Sequence, residues 1–131
     1  VALGENLDQA VRLGLKPEGG FAESPYAFTE ADLLRGKALY QSFCAICHGA
    51  RGEGDGRAIP LGVPKPRSYH DPAVRDQPEG YFYFAATNGF GRMLPYKSRI
   101  PERERWLIAH YIKRCLLSEA CPEEVVHAEV H

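Results

Sequence analysis

Two segments of the chain carry apolar residues at helical spacing. In the first, Leu33, Gly36, Tyr40, Phe43 or Cys44, and Cys47 share one face, which predicts a helix with two thiols at its C-terminal end. Its start is marked by Thr29-Glu-Ala-Asp32, a capping box with Asp32 in place of the usual Glu. In the second, Ile108, Tyr111, Ile112 and Cys115 form the buried face. Pro101 opens that helix, Glu102 and Glu104 lie in its first turn and Lys113 and Arg114 in its last, all matched to the helix dipole. A third helix is predicted over "QPEGYFYFAATNG", with Pro78 at its first position and Asn88-Gly89 at its end, although the alternation over Tyr81–Phe84 would also suit a strand. Residues 6–13 predict a short helix capped by Asn6 and ended by Gly14, and "KPEGGFAESPY" reads as an extended linker lying on something else. From Gly49 to Tyr69 the chain is rich in Gly and Pro, a long loop that must be ordered by contact. The expected fold class is all-α.

At 131 residues the chain is long enough for one core. An apolar fraction of 44% and a charged fraction of 25% are ordinary for a globular protein, and no apolar run reaches bilayer length. Sixteen basic against seventeen acidic side chains leave a net charge of -1, too little positive charge for a nucleic-acid partner. The chain begins at Val1 and its one methionine is Met93, so it reads as a processed or trimmed chain, with room for a lost leader or membrane anchor.

The chemistry concentrates in "FCAICHG", Phe43 to Gly49. A redox dithiol of the thioredoxin kind needs a βαβ setting, and this one lies between a helix and a Gly-rich loop. A structural zinc site needs a second close ligand pair, whereas Cys115 and Cys121 are widely spaced and lack a partnering His at finger spacing. Two thiols at this spacing suit thioether bonds to the two vinyl groups of one haem, with His48 then held beneath the iron. For the other iron face, Met93 lies in the tight turn "NGFGRMLPY", and His70 is the competing ligand.

In this order, Gly36 and Tyr40, Cys44-x-x-Cys47-His48-Gly49, a Pro-containing loop, a helix ending at Asn88-Gly89, Met93 followed by Pro95, and a last helix "RWLIAHYIKR" resemble the class I monohaem cytochromes c. The resemblance spans about residues 29–117. It leaves 1–28 as an N-terminal extension and 118–131 as a tail, and with Tyr96 and Trp106 it is most similar to subunits or shuttles of bacterial respiratory chains. It implies a cytochrome c fold with haem-wrapping helices, in which Gly36 and Tyr40 meet Ile108 and Tyr111. It also implies one covalent haem c, His48 and Met93 as axial ligands, and a proline carbonyl bonded to the free N–H of His48. Pro60, Pro64 and Pro66 qualify, and proximity to Tyr69 favours Pro64 or Pro66.

The function implied is that of a single-electron carrier, not an enzyme, shuttling between a quinol-oxidising complex and a terminal oxidase. The alternatives are a haem domain cut from a larger membrane complex and an open-site haem protein that binds small ligands. The expected state is a monomer, at a periplasmic or other extracytoplasmic location where membrane association remains open. Such compartments permit disulfides, so Cys115 and Cys121 are expected to bridge. The implied partner surface is the haem edge, rimmed by Ala45, Ile46, Ile59–Val63 and Phe90–Leu94, with Arg57, Lys65, Arg92 and Lys97 farther out. His110 is expected to face outward, and His127 and His131 to lie on a mobile tail without a role.

Overall fold

The computed structural model describes residues 12–130, and among these the regular structure is helical, with only isolated bridges between Leu15 and Phe21 and between Phe90 and Met93. Most of the short helix expected over 6–13, and His131, lie outside the described residues. Helix α1 spans Glu30–Phe43 and begins as its sequence dictates: Asp32 N–H donates to Thr29 Oγ1 (3.2 Å) while Thr29 N–H donates to Asp32 Oδ2 (2.9 Å). The chain then breaks at Cys44 and resumes as the single turn α2, Ala45–His48. A short turn α3 (Pro72–Arg75) precedes α4 (Glu79–Asn88). Helix α5 (Glu102–Tyr111) runs on as a wider π-helical turn over Ile112–Leu116, and α6 covers Glu123–His127.

The core lies where α1 and α4 pack on α5. Gly36 permits the close approach of α1 to α5, because a Cβ there would lie 3.1 Å from Tyr111 Cβ and 3.2 Å from Leu107 Cγ. The Tyr40 and Tyr111 rings meet one turn away, 5.6 Å apart. Tyr111 thus makes the expected contacts, and Leu107 takes a place beside it. Gly36→Val is expected to force the two helices apart and to destabilise the protein by about 1–3 kcal/mol, read as a lowered midpoint in denaturant unfolding.

Helix α4 is apolar nearly all round because it is covered twice, which also decides the helix-or-strand ambiguity. Tyr83 stacks on Trp106 of α5 at 4.1 Å, while Phe21 from the preceding segment meets Tyr81 (5.3 Å) and Phe84 (5.7 Å) edge-on. Pro78 stands one residue before the helix as its cap. The segment before α1 is therefore docked: Gly80 N–H donates to Ala22 O at 2.7 Å, and a Cβ at Gly80 would run into the Ala22 and Gly14 carbonyls. This docking corrects the outward placement of His110. Phe28 covers its ring at 5.3 Å, and its Nδ1 sits 3.2 Å from both Glu79 carboxylate oxygens.

The segment after α5 is also folded. Val125 is fully buried, and the buried Lys37 ammonium donates to the carbonyls of Val125 (2.7 Å), Val126 (2.9 Å) and Ala128 (2.8 Å) at the C-terminal end of α6. Cys115 and Cys121 form a disulfide that closes the intervening turn. Changing both cysteines to Ser is expected to cost about 2 kcal/mol by loop entropy. The loss should show first as faster proteolysis after residue 117, with α1 and α5 still protected in hydrogen exchange.

Candidate haem site

Cys44, Cys47 and His48 come together because α1 ends where it does. Cys44 N–H bonds Tyr40 O at 2.8 Å, the following turn is closed by His48 N–H to Cys44 O at 2.9 Å, and both thiols and the imidazole then border one cavity. The Gly-rich loop is ordered by this same turn, running back along it so that Ala58, Gly56 and Gly54 N–H groups donate to the carbonyls of Ile46 (3.0 Å), Cys47 (3.1 Å) and His48 (2.8 Å). The approach requires glycine, since a Cβ at Gly56 would run into the Ile46 carbonyl. Tyr40 Oη donates to Gly49 O at 2.7 Å, so the buried helix face also holds the start of the loop.

The cavity measures about 490 Å³, within the roughly 300–1,000 Å³ usual for cofactor sites. Its wall is mostly apolar: Phe43, Val63, Pro64, Pro66, Phe90, Leu94 and Tyr96 line it with Lys65 and Arg92, and Met93 joins them from the loop after α4. That loop is a hairpin in miniature, in which Phe90 N–H and Met93 N–H each donate to the other's carbonyl (3.2 and 2.9 Å). Tyr96 anchors it, through its N–H to Ala86 O (2.8 Å) and its Oη to Phe43 O (3.2 Å). A residue the sequence reading missed, Arg105, is buried and fixes the following chain: its guanidinium donates to Ile100 O (2.6 Å), Lys97 O (3.1 Å), Thr87 Oγ1 (3.0 Å) and Tyr83 Oη (3.1 Å). The available signal was its place one turn before the buried Ile108 and Ala109 and next to Trp106, on the inner side of the helix.

His70 is not part of this cavity wall. It is exposed, and its Nε2 bonds the Arg51 carbonyl at 2.8 Å. Pro60 is exposed and lies outside the wall, while Pro64 and Pro66 are in it. Neither proline carbonyl bonds His48, whose Nδ1 is buried without a partner. Pro66 O is instead directed at Gly54, 2.5 Å from where a Cβ of that residue would stand. Tyr69 stands beside the site and stacks on the His48 ring at 4.8 Å.

Burial sets the protonation states. It pushes the Cys44 thiol up to about 12, with Cys47 adding to the effect, and it pushes the His48 imidazole down to about 4. At neutral pH, His48 is therefore an uncharged imidazole whose lone pair is free for a metal. An apolar cavity of cofactor size, bordered by two thiols, an orphaned imidazole and a thioether, fits a covalently held haem.

A helical fold wrapped around such a cavity, with Cys-x-x-Cys-His on its first helices, defines a c-type cytochrome. The chain belongs to the family described as cytochrome c oxidase, cbb3-type, subunit III, which matches residues 31–112. Among solved structures it is similar to a chain of the Kuenenia stuttgartiensis reducing HAO-like protein complex, Kustc0457/Kustc0458 (25% identity, TM-score 0.57, 79% of this chain and 52% of that one). The present chain thus spans about half the length of that relative. The fold is shared with the KustC0563 c-type cytochrome (21%, TM-score 0.50, 60% of this chain and 93% of that one). It is also shared with cytochrome cL of Methylophaga aminisulfidivorans (17%, TM-score 0.52, 96% and 82%). No curated protein matches the chain significantly. The family fixes the coarse function: electron transfer through haem c. Among the described residues, no helix is long and apolar enough to cross a membrane.

Proposed function

We propose that the chain carries single electrons on one haem c, held by thioethers to Cys44 and Cys47 and ligated by His48 and Met93, on the path from a quinol-oxidising complex to a terminal oxidase outside the cytoplasm. The observation that carries this reading is that all four side chains border one apolar cavity. When bound, the haem would supply a one-electron iron couple, and Met93 sulfur as a ligand in place of a second imidazole would raise its potential. The chain's own part is to present a neutral imidazole at His48, to hold Met93 on a hairpin pinned by Tyr96, and to keep water from the site with an apolar wall.

The partner reaches the haem across an apolar rim. Leu61 (84% exposed), Leu94 (71%) and Phe90 (64%) stand at the surface with the less exposed Ile46 and Val63, and Arg57, Lys65, Arg92 and Lys97 are exposed in the same segments. An apolar centre with a sparse basic rim supports a transient interface with a mildly acidic partner. Stopped-flow oxidation of the reduced protein by a terminal oxidase tests the reading. The second-order rate should fall mildly as ionic strength rises, because the net charge of -1 leaves steering to the local rim. A collapse of several orders of magnitude would contradict it.

A second reading is supported by the oxidase-subunit family and by the partial coverage of a complex component: a haem domain working inside a larger oxidoreductase. In that case the rate saturates with partner concentration, as electron transfer proceeds within a standing complex.

A further inference from the structure

We propose that the segment before α1, residues 12–28, braces the Met93 loop through α4 from both ends of that loop, so that loosening the segment lets Met93 leave the iron more often. The inference rests on the haem reading above and deepens it. The loop leaves α4 after Asn88 and reaches α5 at Glu102. How often such a loop opens depends on the contacts that grip its ends, because irregular backbone holds few bonds of its own.

Two separate routes join the segment to the loop. On the first, Phe21 meets Tyr81 of α4 at 5.3 Å, and Tyr81 meets Phe90 of the hairpin at 6.4 Å. On the second, the buried Tyr83 phenol donates to Arg12 O at 3.2 Å and accepts from the Arg105 guanidinium at 3.1 Å. Arg105 carries this contact to the far end of the loop, where it donates to Lys97 O (3.1 Å) and Ile100 O (2.6 Å), and it holds Thr87 Oγ1 at the end of α4 (3.0 Å). A buried guanidinium that shifts strands several donors at once, so its connections hold or fail together. The segment likewise docks as one piece. Ala22 N–H donates to Gly14 O at 2.8 Å and Gly80 N–H to Ala22 O at 2.7 Å, which ties the neighbours of Phe21 and of Arg12 to the same turn of α4. Gly14 lies so close to Tyr83 that a Cβ there would stand 2.9 Å from Tyr83 Cδ2. Lifting Phe21 therefore also draws Arg12 O away from the phenol.

The test measures cyanide binding to the oxidised holoprotein at saturating cyanide, where the rate is that of Met93 leaving the iron. Phe21→Ala lies outside the cavity wall, and Tyr83→Phe keeps the stack on Trp106 but loses the phenol oxygen. Each should raise the rate roughly fivefold, as for the loss of one ordinary hydrogen bond. The double variant should fall short of the product of the two factors, because both changes release the same segment. Gly80→Ala, whose Cβ would run into the Ala22 and Gly14 carbonyls, should raise the rate as well and replaces Tyr83→Phe if that variant folds poorly. Lys37→Met is the control: it frees the C-terminal helix from α1 and should lower the denaturant midpoint while the cyanide rate stays at the parent value. A parent-like rate in either single variant, a double variant equal to the product, or an equal rise in Lys37→Met overturns the proposal. A parent protein without the red charge-transfer band lacks Met93 ligation, and that result, read on the parent alone, overturns the reading beneath it.

Discussion

Replacing Cys44 and Cys47 together by Ser is expected to release the haem into acid-acetone, whereas the parent protein keeps its colour through the same extraction. The consequence extends to the fold. Without the haem, the apolar wall of a cavity of about 490 Å³ is left to water, and burial of apolar surface is the main term stabilising so small a domain. The double variant should therefore lose its near-ultraviolet dichroism while keeping part of its helical far-ultraviolet signal. The α1–α5 crossing at Gly36 is independent of the cavity and should be the last tertiary contact to loosen. Full retention of colour by the double variant would refute covalent attachment at these residues.

Replacing Met93 by Ala is expected to abolish the weak charge-transfer band at the red end of the oxidised spectrum and to open the iron to small ligands. Cyanide affinity should rise on the order of tenfold or more, because each 1.4 kcal/mol of lost competition from the native ligand is a factor of ten. Met93→His should restore six-coordination without the sulfur band and lower the reduction potential, since imidazole replaces thioether. The hairpin should survive both changes, because the Phe90–Met93 bonds run through backbone and Tyr96 is anchored elsewhere. An unchanged spectrum in Met93→Ala would require another ligand. His70 is poorly placed for that, held at the Arg51 carbonyl away from the cavity wall.

Local chemistry was legible along the chain wherever a few neighbouring residues decide the outcome. Thr29 with Asp32 gave the start of α1, the Leu33–Gly36–Tyr40 period gave its buried face, and Cys44-x-x-Cys47-His48 gave a site whose residues are covalently close. The disulfide was legible for the same reason, since Cys115 and Cys121 are only six residues apart. The presentation of Met93 was legible in part: glycines and a proline announced a tight turn, but not the Tyr96 and Arg105 bonds that hold it and the chain beyond it.

What the sequence determined by itself was thus the class of chemistry and the helices that carry it, because capping, periodicity and ligand spacing are properties of contiguous residues. What only the tertiary structure decided were contacts between segments far apart in the chain. Lys37 reaches across 88 residues to Val125, which turns an expected mobile tail into a packed helix. Phe28 covers His110, which turns an expected surface histidine into an enclosed partner of Glu79. Tyr69 is brought against the His48 ring from the far end of the Gly- and Pro-rich loop. In each case a charged or polar group is covered, wholly or in part, by a segment whose own sequence reads as linker, loop or tail. Its burial depends on what packs above it, and no local pattern encodes that.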